Sequence, residues 1–200
     1  MANVIKRHIC FPTIVNEFKM DIPVHDRIHM LKYINNIAGE ASLCQTNDDL
    51  QTMPHFKYFK DNILKVHKEI LENFKYEYED IVITNMWGNK IKPGGNHPPH
   101  THSNNIFSGV FYLQADTNSS DIQFFDPRPQ SSVMVPRRKD RTNENSDILS
   151  FLSKQNIGYI FPSWLEHWVP PTGSERTSLS WNIMIKGHYG EKRHLQNAYI

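Results

Sequence analysis

The stretch HTHSNNIFSGVFYLQADTNSSDIQFFDPR, residues 100–128, decides the fold class. Its segment IFSGVFYLQA is rich in β-branched and aromatic residues and predicts a buried strand. The polar run DTNSS predicts a turn, and DIQFFDP predicts a second, shorter strand that Pro127 ends.

The chain on both sides of this stretch supplies the other elements. Residues 80–87 and 157–161 predict strands, and RTSLSWNIMIKG at 176–187 predicts a closing strand with alternating apolar residues. Upstream, Val24 to Ala41 and Phe59 to Phe74 carry apolar residues at helical spacing. Helices first and then many short strands predict an α+β chain whose β part is a sandwich or barrel of jelly-roll type.

Composition limits the classes of function. The 200 residues suffice for one domain with a core, and 22 basic against 21 acidic residues give a net charge of +1. We therefore expect neither nucleic acid nor an anionic membrane as a partner. The chain has no apolar run of membrane-spanning length, and Cys10 and Cys44 lie far apart, so we predict a soluble protein of the cytoplasm.

The eleven histidines are unevenly distributed, because His97, His100 and His102 cluster while His167 stands alone. In an extended chain, residues two apart point to one face, so His100 and His102 could bind one metal ion. A short segment cannot surround an ion, and His167 is the candidate third ligand. The alternatives are a polar surface loop without metal, or a zinc pair.

Arg176 and Ser178 are also two residues apart in a predicted strand and share a face. An arginine fork binds a carboxylate in bidentate fashion, and a serine hydroxyl adds a third hydrogen bond. A small dicarboxylate cosubstrate is therefore the predicted partner of Arg176. The alternative is a surface ion pair between Arg176 and Glu175 or Glu166.

Three segments carry a family resemblance: HTHSNNIFSGVFYL, SSDIQFFDPR and GYIFPSWLEHWVPPTGSERTSLSWN. Their order is a His-x-acid position, a strand, a hairpin, FP…H and R-x-S. In this order the chain resembles the 2-oxoglutarate- and iron(II)-dependent oxygenases, above all a bacterial and phage group related to the prolyl 4-hydroxylases. The resemblance covers roughly residues 81–186.

The resemblance implies a double-stranded β-helix, the cupin-like jelly roll, with N-terminal helices packed on one side. We accordingly expect a single domain over residues 1–200, with a helical support region at 1–80, the β-helix core at 81–186 and a tail at 187–200. It also implies Fe(II) and 2-oxoglutarate as cofactors. The expected activity is that of a dioxygenase that hydroxylates an unknown substrate, for which family analogy suggests a peptidyl side chain.

Family site residues transfer to this chain position by position. His100 and His167 match the two metal-binding histidines, and Arg176 with Ser178 matches the site for the far carboxylate of 2-oxoglutarate. The family has a carboxylate where this chain has His102. Either His102 is the third ligand, or Asp121 or Asp126 from the next hairpin takes that place, or the register is shifted so that His97 or His100 has another role.

Two further residues and one loop belong to the prediction. Tyr112 and Asn85 are candidates for contacts with cosubstrate from neighbouring strands, although Tyr112 could instead be a core aromatic residue. Residues 128–146 are a candidate lid, because long loops in compact domains are often functional.

Two other functions compete with the oxygenase. One is a jelly-roll binding or accessory protein with altered catalysis, and the other is a three-histidine dioxygenase that does not use 2-oxoglutarate. His102 favours both alternatives, whereas Arg176 and Ser178 favour the 2-oxoglutarate enzyme.

Overall fold

A computed structural model describes residues 6–37, 39–193 and 195–200. The two helices are α1 (Val24–Asn35) and α2 (Lys57–Phe74), and two short 3-10 turns, Leu50–Thr52 and Pro54–Phe56, precede α2. The strands in chain order are β1 (Asn16–Lys19), β2 (Leu43–Gln45), β3 (Asp80–Ile91), β4 (His97–His100), β5 (Phe107–Gln114), β6 (Ile122–Phe125), β7 (Ile148–Phe151), β8 (Ile157–Pro162), β9 (His167–Val169), β10 (Arg176–Lys186), β11 (His188–Tyr189) and β12 (Ala198–Tyr199).

The strands form two antiparallel sheets and a small terminal ladder. The main sheet has the order β1-β8-β5-β10-β3-β2, and the second sheet has the order β4-β9-β6-β7. From β3 to β10, successive strands alternate between the two sheets except where β6 leads into β7. This winding is that of a jelly roll, and it confirms the predicted fold class.

The main sheet has an apolar face covered by the helices. On β10, Leu179, Trp181 and Ile183 join Met30 and Ile34 of α1, together with residues of α2, in one buried cluster. The helix predicted at 59–74 is confirmed and begins two residues earlier, at Lys57. Its apolar residues at helical spacing bury themselves against the sheet, which is why this helix was predictable. The buried members from α2 are Phe59, Ile63, Ile70 and Leu71.

The opposite face of the main sheet packs on the second sheet. Val110 and Tyr159 of the main sheet cluster with Ile122 and Phe124 of β6. Because side chains alternate along a strand, Arg176 and Ser178 of β10 point to this side, between the two sheets. The sequence predicted this alternation along β10.

Two glycines permit close packing against the sheet. A Cβ at Gly109 would overlap the Trp181 ring, and a Cβ at Gly158 would overlap the Phe18 ring. Glycine inside a strand commonly marks such a close approach.

The second sheet was the part least visible in the sequence. Its strands β4 and β9 have only four and three residues, and prolines lie within or beside them, a composition that is typical of loops. Strand β7 was not predicted at all. Strand β3 extends to Ile91, beyond the predicted end at Trp87. Such short strands have too few residues to show a period of two.

The region predicted as helical support carries both helices and also the short strands β1 and β2. The predicted tail contains the two-stranded ladder of β11 and β12. In the part of the chain that the structure describes, no helix combines the length and the apolar character needed to cross a membrane.

Candidate metal centre

Pairing of β4 with β9 brings two histidines together. His100 and His167 are direct partners in this antiparallel ladder. The chain after β4 is anchored by the backbone N–H of His102, which donates to the Ser163 carbonyl at 2.9 Å. Ser163 lies in the turn before β9, so this bond holds His102 beside the same strand.

Three imidazoles consequently face one point. One ring nitrogen from each of His100, His102 and His167 lies within 4.8 Å of the other two. The ring centroids are 4.3 Å apart for His100 and His167, 5.1 Å for His100 and His102, and 5.2 Å for His102 and His167. Among the described residues, no other group of three or more histidine, cysteine or acidic side chains meets this distance.

Hydrogen bonds define which nitrogen of two histidines is available. The Nδ1 of His100 donates to the Pro98 carbonyl at 2.8 Å, and the Nδ1 of His167 donates to the Leu165 carbonyl at 2.9 Å. Since a carbonyl oxygen can only accept, each Nδ1 carries the proton and each Nε2 keeps its lone pair. Backbone contacts of this kind orient metal-binding imidazoles in proteins.

Burial keeps these rings neutral. Desolvation, with a smaller contribution from His100, lowers the pKa of His167 to about 3 and the pKa of His102 to about 4. Desolvation also lowers the pKa of His100. A neutral imidazole is the form that binds a metal ion, so all three rings are in the binding form at neutral pH.

A fourth histidine borders this group. The His97 ring lies 4.2 Å from the His100 ring, and His97 lines the same cavity. Desolvation, followed by the neighbouring His100, lowers the pKa of His97 to about 4.

Arg176 lies deep in the same cavity with only 2% of its surface exposed. Its Nη1 donates to the Ser120 carbonyl at 2.7 Å, but its Nε has no hydrogen-bond partner among the described residues. The predicted alternative pairing with Glu175 is not present, because Glu175 pairs with Lys90 at 3.3 Å. A buried guanidinium without a carboxylate is a candidate anion site.

Tyr112 and Ser178 lie beside this arginine. The guanidinium carbon of Arg176 stands 4.8 Å from the centre of the Tyr112 ring. The Tyr112 hydroxyl is buried and has no hydrogen-bond partner in the described structure. Ser178 pairs with Tyr112 across β10 and β5 and lines the cavity. A carboxylate bound here could accept from the orphaned hydroxyl and guanidinium, so the residues fit one end of 2-oxoglutarate.

The polar and aromatic residues that β3 contributes to the cavity were absent from the predicted site. Trp87 and Asn89 of β3 line the cavity, and the Trp87 ring stacks on His102 with centroids 5.6 Å apart. Trp87, Asn89 and Ile91 are two residues apart and would point to one face of a longer strand. The predicted strand ends at Trp87, so this pattern does not appear in the prediction. The full lining is Trp87, Asn89, Ile91, His97, His100, His102, Gly109, Val110, Ile122, Phe161, His167, Val169, Arg176, Ser178 and Ser180.

Three candidate residues lie elsewhere. The side-chain amide of Asn85 donates to Asp48 at 2.7 Å, and Asn85 is not among the residues that line the cavity. Asp121 accepts from the Ser153 backbone N–H at 3.0 Å.

Asp126, the other acidic candidate for the third ligand, pairs with Arg128 at 2.7 Å, and this bond lowers the pKa of Asp126 to about 2. Neither Asp121 nor Asp126 belongs to the three-residue group, so the geometry favours His102 as the third ligand.

Comparison with known families gives a match over this part of the chain. Residues 85–182 match the family described as "Putative 2OG-Fe(II) oxygenase". The matched segment contains all three histidines and Arg176. No curated protein matches the chain in sequence.

Solved structures share the fold at low sequence identity. A prolyl-4-hydroxylase from Pseudomonas putida has a TM-score of 0.59 and 13% identity, over 88% of this chain and 94% of that one. The viral collagen prolyl hydroxylase of Paramecium Bursaria Chlorella virus-1 has a TM-score of 0.58 and 13% identity, over 88% and 98%. HygX from Streptomyces hygroscopicus, solved with nickel and 2-oxoglutarate bound, has a TM-score of 0.59 and 8% identity, over 86% and 82%.

Proposed function

We propose that the chain is a 2-oxoglutarate- and iron(II)-dependent oxygenase whose iron is held by His100, His102 and His167. Arg176, with Ser178 and Tyr112, binds the far carboxylate of 2-oxoglutarate. The chain is a single-domain hydroxylase, and its substrate is a peptidyl side chain. The observation that carries the proposal is one cavity that contains three neutral imidazoles and a buried arginine without an acidic partner.

The protein's own residues contribute position and environment. When bound, iron and 2-oxoglutarate supply the oxygen activation that defines this family. Backbone carbonyls of Pro98 and Leu165 keep two imidazoles in the orientation that a metal requires. The aromatic residues Trp87 and Phe161 help to exclude water, which strengthens the interaction of Arg176 with an anion.

The peptidyl substrate is supported by analogy. Two proteins with the same fold are prolyl hydroxylases, and another was solved with a hypoxia inducible factor peptide fragment. One fold supports many substrates, and the likeness to these proteins is what favours a peptidyl one. Asn85 lies outside the cavity, so its proposed role is to contact a substrate that extends beyond the cavity.

A titration of 2-oxoglutarate into anaerobic, Fe(II)-loaded protein tests the cosubstrate site. We expect the visible charge-transfer band of a chelated keto acid on iron. The band is lost in His167→Ala, and in Arg176→Gln it requires about 10- to 100-fold more 2-oxoglutarate, since a charged hydrogen bond to a buried group is lost. Arg193→Gln is the matched control, because Arg193 is exposed in the tail.

The outcome distinguishes the competing functions. Tight iron binding without the band would favour the three-histidine dioxygenase that does not use 2-oxoglutarate. If the protein binds no iron, the histidines are structural and the jelly-roll binding protein becomes the better explanation.

The variant His102→Asp tests the third ligand. A neutral imidazole leaves the metal site one charge unit more positive than the family's carboxylate does, which strengthens the binding of an anionic cosubstrate. We therefore expect His102→Asp to bind 2-oxoglutarate more weakly and to turn over faster. If both quantities stay at the wild-type values, His102 is not a ligand.

A further inference from the structure

A second histidine cluster lies on the helical side of the protein. In α1, Met30 and Ile34 pack into the cluster on the helix-covered face of the main sheet, whereas the cavity with the three imidazoles lies on the other face. His25 is exposed and His29 is half-buried on the outer side of this helix. The two residues are four apart, so their side chains lie one above the other.

The two rings approach each other in the way that a chelate requires. The Nε2 atoms of His25 and His29 are 3.1 Å apart, so one Nε2–H donates to the lone pair of the other, and a bound metal ion would replace this shared proton. Their ring centroids are 4.3 Å apart. With zinc–nitrogen bonds of about 2.0–2.1 Å, two nitrogens on a tetrahedral ion are separated by roughly 3.3 Å. The observed separation is therefore close to that of two ligands on one ion, without any change of rotamer.

The neighbours of the pair support the metal-binding form. The Nδ1 of His25 lies 3.6 Å from a carboxylate oxygen of Asp26, which favours a proton on Nδ1 and a lone pair on Nε2. Partial desolvation, followed by the nearby His55 and His25, lowers the pKa of His29. Asp26 is the acidic group near the pair, and Lys32, which also lowers the pKa of His29, is the opposing cation.

A third imidazole holds one ligand in place. The His55 ring stacks on the His29 ring, with centroids 4.3 Å apart and planes 3° from parallel. Its centroid is 6.3 Å from that of His25, so His55 positions His29 rather than joining the pair as a third ligand. His55 belongs to the 3-10 turn before α2, so the cluster connects two separate segments.

We propose that His25 and His29 form a second metal site, separate from the oxygenase centre, for a divalent ion such as Zn²⁺, Ni²⁺ or Cu²⁺. These ions accept imidazole ligands, and water completes the coordination. Binding stabilises α1, because an ion that binds only the folded helix lowers the free energy of the folded state.

Equilibrium dialysis of the full-length protein against Ni²⁺ tests the site, with the bound metal counted by elemental analysis. We expect the wild type to bind one more nickel ion than the double variant His25→Ala/His29→Ala. His55→Ala should keep this ion but weaken its binding by about 3- to 10-fold, since only the orientation of His29 is affected. Thermal unfolding with and without Ni²⁺ should show the metal-dependent stabilisation in the wild type and its loss in the double variant.

The matched control is His8→Ala/His188→Ala, which removes two other exposed histidines and should retain the extra ion. The same comparison in a His167→Ala background separates this site from the oxygenase centre, because the difference of one ion must persist there. Equal stoichiometry in the wild type and the His25/His29 double variant would overturn the proposal. Equal loss in the control variant would overturn it as well, since binding would then be nonspecific.

Discussion

Two buried histidines on opposite sides of the main sheet look alike by the usual indicators of function. His67 of α2 is fully buried and His167 of β9 is 4% exposed. Burial is the largest cause of the shift in both, and it lowers the pKa of each to about 3. Neither value by itself distinguishes a structural residue from a metal ligand.

Their neighbours make the distinction. The Nε2 of His67 accepts the indole N–H of Trp181 at 2.9 Å. Its Nδ1 has no hydrogen-bond partner among the described residues and lies between the aromatic rings of Phe107 and Trp181, with no further imidazole beside it. The Nδ1 of His167 donates to a backbone carbonyl, which leaves Nε2 free beside two further imidazoles. A lone pair that is used internally indicates packing, whereas several unused lone pairs that converge indicate a ligand site.

The largest effect that tests this contrast is expected for His167→Ala. We expect 2-oxoglutarate consumption to fall by at least about 100-fold, since the loss of a ligand should exceed the 10- to 100-fold cost of losing a supporting contact. The metal-free variant should fold with a lower urea midpoint, because the Leu165 carbonyl loses its donor and the missing ring leaves a gap beside Phe124 and Phe161. Iron binding and turnover at wild-type levels in the folded variant would show that His167 is not a ligand.

The opposite outcome is expected for His67→Leu. The buried Trp181 N–H loses its acceptor, so the free energy of unfolding should fall by about 1–3 kcal/mol in urea denaturation. The charge-transfer band with iron and 2-oxoglutarate should be unchanged. His67→Gln, which can keep an acceptor for Trp181, should lose less stability. Loss of the band in folded His67→Leu would contradict the separation of the two sides.

Acid provides a graded test of the same residue. The folded-state pKa of His67 lies near 3, below the ordinary histidine value of about 6.5, so the unfolded chain binds a proton first as the pH falls. The contribution of His67 to the free energy of unfolding is therefore constant above pH ~6.5. Below that pH it decreases by about 1.4 kcal/mol per pH unit, down to about pH 3. In the metal-free protein, His67→Leu should remove this contribution to the slope. Parallel stability curves for the two proteins would contradict it.

The sequence predicted the site better than the sheet that carries it. His100 with His102, and Arg176 with Ser178, could be found because the spacing of each pair has a chemical meaning, whereas His167 was found through the FP…H position of the family resemblance. The three histidines do converge, and they share a cavity with Arg176.

Pairing between distant segments was not predictable in the same way. Strands β4 and β9 are too short for a periodic pattern, yet their ladder is what joins His100 to His167. In β3, Ile83 and Met86 both face the helices although they are three positions apart, and the register with β10 shifts beside them. Such an irregularity reverses the alternation on which strand faces are predicted.

The smallest expected effect is a change in 2-oxoglutarate affinity that distinguishes the two faces of strand β10. Ser178 of β10 points into the cavity, while the adjacent Thr177 points to the helices and donates to Asn35. Removing one neutral hydrogen bond to the cosubstrate costs about 0.5–1.5 kcal/mol, so Ser178→Ala should weaken 2-oxoglutarate binding by about 2- to 10-fold. Thr177→Val removes a hydroxyl one residue away and should leave this affinity unchanged. Anaerobic titration of both variants measures the difference, and equal weakening would mean that the hydroxyl acts through strand packing rather than through contact with the carboxylate.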